Sequence, residues 1–155
     1  MTHSANVKGY QVVIPEETHT LAEFSKNDLP GVATINSALV SFEPKEAFAW
    51  HLSIMVEAKE LGDYRMPTPH EQKMLYDFED EIEPNIKANG NALFLARVTH
   101  NGWRELVYRI YDPQPLNNYL QSLIQSENNS RPFEFHIDPD EHWEKATWFI
   151  QAVDS

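Results

Sequence analysis

His70-Glu71-Gln72-Lys73-Met74 begins as the His-Glu-x-x-His helix of a zinc protease does. Two histidines four apart on a helix share one metal there, with the glutamate as general base. Here the second position is Met74, so a required ligand is missing. His136-Ile137-Asp138-Pro139-Asp140-Glu141-His142 is the densest group of possible metal ligands, but its spacing matches no standard site. Pro139 between two aspartates reads instead as a strand exit followed by helix capping. The nucleophile elbow, the phosphate loop and the dinucleotide glycine fingerprint are all absent. So is the aromatic RNP motif with which a comparable sheet binds RNA. The chain has no cysteine, which excludes disulfides, thiolate metal sites and cysteine nucleophiles. No catalytic residue, metal or cofactor is assigned.

What remains is charge and aromatic surface. The 155 residues carry 24 acidic against 12 basic side chains, a formal net charge of −12. Such a polyanion repels phosphate backbones, and the lysines and arginines are scattered, so nucleic acid is not an expected partner. Solubility accounts for the acidity; a surface matched to a basic protein partner would have the same composition. The sharpest acidic feature is Asp77, Asp80 and Glu81. A solvated helix face and a docking stripe for a basic partner both fit it.

These side chains need elements to position them. Gly9 to Ile14 reads as a short strand, Pro30-Gly31 as a turn, and Val32 to Phe42 as a second extended segment. Trp50 to Glu57 alternates, with Leu52, Ile54 and Val56 on one face. Thr68 as cap, Pro69 at the first helical position and Glu71 three after the cap start a helix by a capping box. Leu75, Phe78, Ile82 and Ile86 continue it, with a kink or break expected at Pro84 and a stop at Asn89-Gly90. Asn91 to Val98 and Trp103 to Tyr111 form a hairpin about Asn101-Gly102. Leu116, Tyr119, Leu120, Leu123 and Ile124 give a second helix, closed by polar Ser126 to Ser130. Phe133 to Ile137 is another strand, and a last helix starts at Pro139 or Asp140. Asn128-Asn129-Ser130 is a glycosylation sequon by chance.

With no linker, repeat or low-complexity tract, residues 1–155 are expected to be a single α+β domain. Its core, about 47–138, has the order β-α-β-β-α-β of a ferredoxin-like arrangement: an antiparallel sheet with two helices on one face. A strand extension (9–43) and a C-terminal helix (140–151) decorate it. No secretory signal or membrane-spanning stretch is visible, so a cytoplasmic location is expected.

The hairpin register pairs His100 with Trp103 and sorts side chains to two faces. Leu93, Leu95, Leu106, Tyr108 and Ile110 should meet the helices, with Arg97, Thr99 and Arg104 near the turn. Arg97 and Arg104 are candidate anion contacts, or partners of the acidic helix. Ala92, Phe94, Ala96, Val98 and Val107 share the other face with Trp103, Glu105, Arg109 and Tyr111. If that face is open, these last four form a recognition surface. If the N-terminal strands or the last helix, with Trp143 and Trp148, cover it, they belong to the core.

Leu29 to Asn36, Met66-Pro67-Thr68-Pro69-His70-Glu71 with Glu79-Asp80, Ala96 to Glu105, and Asp140-Glu141-His142-Trp143 followed by Phe149 recur in one order. In them the chain resembles the bacterial family of domains of unknown function 695, over about Gly9 to Ile150. Ala96 stands where that family commonly has glycine. The resemblance implies no catalytic residues. Some relatives are joined to a domain similar to the regulator of ribonuclease E activity, a small acidic inhibitor that acts by binding, which is an analogy of architecture and charge. The expected function is a non-enzymatic acidic binding or regulatory module with a protein partner. The alternative is an enzyme or small-ligand binder whose site shows no motif.

Overall fold

The computed structural model describes residues 3–7, 10–126 and 131–154. Among them, β1 (His3–Val7) and β2 (Tyr10–Ile14) form a two-stranded antiparallel ribbon. The main sheet has six strands: β3 (His19–Lys26), β4 (Leu29–Asn36), β5 (Trp50–Glu57), β6 (Ala92–His100), β7 (Trp103–Ile110) and β8 (Phe133–Pro139). Their order is β3-β4-β6-β7-β5-β8, and every neighbouring pair is antiparallel. Among the described residues three α-helices accompany it: α1 (Pro69–Ile86), α2 (Pro113–Gln125) and α3 (Thr147–Val153). The fold is therefore mixed α and β around one antiparallel sheet.

Each sheet face has its own hydrophobic layer. Leu75, Phe78 and Ile82 of α1 and Leu116 and Leu120 of α2 pack on Leu52, Ile54, Val56, Phe94, Leu106 and Tyr108. Alternation along β5 and β7 sends those residues to one side, which is what two amphipathic helices require. On the opposite face, Ala33, Ile35, Leu95, Ala96 and Val107 meet Phe149 of α3, Trp143, and Leu39, Phe42 and Phe48 of the β4–β5 connection.

The helix starts follow their sequence signals. Thr68 Oγ1 accepts from the Glu71 amide at 3.2 Å, and the Asp112 side chain accepts from the Gln114 amide at 3.1 Å. The capping box is only half made, because the Glu71 carboxylate turns away to the Lys59 amide at 2.6 Å. α1 does not break at Pro84; the helix runs on to Ile86. The missing Pro84 donor falls in the last turn, where Pro84 and Asp80 are both exposed and water can satisfy the carbonyl.

Other expectations need correction. The turn lies at Asn27-Asp28, both left-handed with φ of 56° and 64°, not at Pro30-Gly31. It creates β3, an edge strand with an alternating exposed pattern that the polar sequence concealed. The extended segment ends at Asn36, whose side chain caps a 3₁₀ turn at Ser37–Leu39. The C-terminal helix begins at Thr147 instead of near Asp140, because a left-handed Trp143 (φ 57°) and a 3₁₀ turn intervene. Gly9 and the sequon at 128–130 lie outside the described residues.

The largest difference is in β6. Its register against β7 shifts between Phe94 and Ala96, so Leu95 is the extra residue of a β-bulge. One inserted residue exchanges the faces of everything before it. Ala92 and Phe94 therefore join the helical layer, and Leu93 and Leu95 the opposite one. Arg97 and Thr99, between the bulge and the turn, keep the expected face.

Candidate functional site

Arg109 is on the expected face of β7 but fully buried. Its Nη1 donates to Asp140 Oδ2 at 2.8 Å and approaches His51 Nδ1 at 3.1 Å. Its Nη2 donates to the carbonyls of Asp140 (2.6 Å) and Phe48 (3.2 Å). The guanidinium lies 4.6 Å from the Trp143 ring centroid, and the indole donates to the carbonyls of Lys45 (2.8 Å) and Phe48 (3.0 Å). Asp140 also accepts from the Glu144 and Lys145 amides at 3.0 and 2.9 Å, which holds the final 3₁₀ turn. Burial, with the Arg109 charge alongside, lowers the His51 pKa to about 4, so the ring is a neutral acceptor. Arg109 thus cannot meet a partner: it ties the C-terminal segment to the sheet. Tyr111 is half-buried and packs on the same layer.

The two candidate anion contacts are also committed internally. Arg97 makes a bidentate pair with buried Glu79, at 2.7 and 2.6 Å. Arg104 is buried and lies 4.9 Å from the Tyr76 ring centroid. It donates to Thr99 Oγ1 at 2.9 Å and to Gln72 Oε1. Burial lowers its pKa. Arg131, unmarked in the sequence, pairs with buried Glu71. These contacts form a polar seam where α1 crosses the sheet.

The other end of the opposite face is open. Trp103 and Glu105 are half-buried there, and with Phe24, Lys26, Met55, Val98, His100 and Asn101 they line a shallow depression of about 240 Å³. Its aromatic wall is fixed by the backbone. Phe24 lies across Gly31, its cross-strand partner, so closely that a Cβ at Gly31 would stand 2.2 Å from the ring. His100 and Trp148 pack on Phe24 at centroid distances of 5.5 and 5.3 Å, and Trp148 stays 46% exposed. The Glu105 carboxylate accepts from Ser53 Oγ at 2.5 Å. Met55 stands opposite Glu105 on one side and Glu134 on the other, and Glu57 opposes Trp103. The last helix thus covers half of this face, leaving Trp103 and Glu105 accessible and Arg109 enclosed.

On α1, Asp77, Asp80 and Glu81 are exposed, and Asp77 is paired with Lys73 at 2.8 Å. His136 and His142 are both exposed, Asp140 is taken by Arg109, and no metal-holding group of three His, Asp or Glu occurs among the described residues. No helix among the described residues is long and apolar enough to cross a membrane.

The model of the family of unknown function DUF695 matches residues 21–150, from within β3 into α3. The chain belongs to that family. No curated protein and no solved structure matches it. The DUF695 match spans the main sheet from Leu21 onward, the polar seam and the open depression. In this DUF695 chain, sequence reading missed Phe24 and Met55, which line the depression with Trp103, and Glu134, which stands opposite Met55. Met55 carried a signal: it alternates with the buried face of β5, so it must point outward. Glu134 could be placed beside it only once β5–β8 pairing was known, and Phe24 only once β3 was.

Proposed function

We propose that this protein is a non-enzymatic cytosolic binding or regulatory module that acts through a protein partner. Within it, β8-β5-β7-β6 with α1 and α2 is read as a ferredoxin-like unit, widened by the β3–β4 hairpin at the β6 edge. The observation that carries the functional reading is the half-covered sheet face, where Trp103 of β7 and Trp148 of α3 remain accessible. Aromatic side chains with few rotamers contribute large contact area at small entropic cost, and they are enriched at interface centres. The net charge of −12 favours a basic partner surface and disfavours nucleic acid.

Affinity capture from native lysate, with partners identified by mass spectrometry, tests this reading. A specific partner should be retained by the native protein and lost with the Trp103→Ala, Trp148→Ala double variant. Reversal of Asp77, Asp80 and Glu81 to lysine asks whether α1 contributes instead. If neither set of changes alters what is retained, the reading is wrong.

A further inference from the structure

We propose that the open half of the sheet face binds an extended segment of the partner, with a lysine or arginine stem along Trp103 and Met55 and its charge on Glu105. This rests on the protein-binding reading above and names the chemistry that the partner must present. The depression has an apolar floor of Met55 and Val98, an indole wall, and a second wall of Phe24 backed by Gly31 and Trp148. Such walls suit the methylene stem of a long basic side chain, and the indole face attracts its cationic head.

The carboxylates decide the occupant. Residues paired across strands point to the same side, so Glu105 and Glu134 flank Met55, and Glu57 stands beside Trp103. Among the described residues none of the three has a cationic partner, whereas the buried Glu71 and Glu79 each have one. Glu105 has only the Ser53 hydroxyl, which orients the carboxylate without neutralising it. Like charges on adjacent strands repel, and a cation placed between them relieves that repulsion. Lys26 stands at the far rim and disfavours a second cation there, so the face selects one basic side chain in one orientation.

The probe is a blocked six-residue peptide of valine and threonine with one central lysine; its control carries norleucine in place of the lysine. Both are titrated at physiological salt while the Trp103 indole N–H is followed by NMR, its signal assigned with Trp103→Phe. The lysine peptide should shift that signal and bind at least tenfold more tightly than the control. Glu105→Gln keeps the size and the acceptor for Ser53, so the fold should persist, as its melting temperature will show. It should abolish the tenfold preference. Asp77→Asn with Asp80→Asn should leave it intact. The proposal is overturned by equal binding of the two peptides, by no binding, by an unchanged preference in Glu105→Gln, or by equal loss in the α1 variant. In those cases a captured partner that still needs Trp103 and Trp148 would leave the broader reading standing.

Discussion

The guanidinium of Arg109 lies 4.6 Å from the ring centroid of Trp143, a residue 34 positions later held in a left-handed turn (φ 57°). That contact, with the Asp140 salt bridge, closes the layer beneath α3. Removing one member of a buried pair leaves an uncompensated charge, which typically costs about 3–5 kcal/mol. Asp140→Ala should lose about that much in urea unfolding. Arg109→Met combined with Asp140→Ala should lose clearly less than the sum of the two single changes.

Acid should loosen the same node through His51. Its folded pKa of about 4 is below the ordinary 6.5, because burial and the adjacent Arg109 disfavour the imidazolium. The unfolded chain then binds a proton more readily than the folded one between these values. The stabilising contribution is complete above pH 6.5 and is lost as pH falls towards 4. The loss should be about 2–3 kcal/mol, allowing for the water that reaches part of the ring. Asp140, whose pKa is also lowered, adds to the loss at still lower pH: burial alone would raise it, but amide and Arg109 hydrogen bonds prevail. Unfolding free energies from pH 7 to pH 4 should show a steeper decline in the native protein than in His51→Phe.

Trp103 and Trp143 should separate cleanly in thermal melts. Trp143 is 2% exposed and bonded to two carbonyls, so Trp143→Ala should cost about 3–5 kcal/mol. Trp103 is half-buried in the wall of the open depression, and Trp103→Ala should stay within about 1 kcal/mol. A loss of several kcal/mol for Trp103→Ala would make it a core residue and remove it from the recognition surface.

Gly31 tests whether the Phe24 wall is locked. A methyl group there would overlap the ring, so Gly31→Ala should cost about 1–3 kcal/mol by overpacking. The same change in a Phe24→Ala background should cost much less, because the ring that clashes is gone. Equal costs in the two backgrounds would mean that the phenyl ring does not rest on the glycine.

How much of this could be read beforehand differed by element. The α1 start, the apolar stripe of α2 and the Asn101-Gly102 turn follow from local chemistry, and each stands where its residues predict. So do the faces of β5 and β7, whose alternation is unbroken. Leu95 shows where such reading fails: a bulge is one residue out of phase, and nothing in a run of Ala, Leu and Phe marks which residue is extra. β3 was hidden because an edge strand can keep polar residues on its exposed side and bury its others only halfway. The candidate site divided along the same line. Register placed Trp103, Glu105 and Arg109 on one face, but whether a face is covered depends on segments distant in sequence. Asp140 and Trp143 reach Arg109 across more than thirty residues.

The Arg109 node also dictates an order of events as the chain is made. Synthesis runs from the N-terminus, so the layer under α1 and α2 has all its apolar residues once Ile137 has emerged. The opposite layer must wait for Asp140, Trp143 and Phe149, and until they arrive Arg109 can keep its charge only by staying in water. A chain whose emergence stopped between Ile137 and Asp140 would therefore be a half-built molecule, sealed on one side of its sheet and wet on the other.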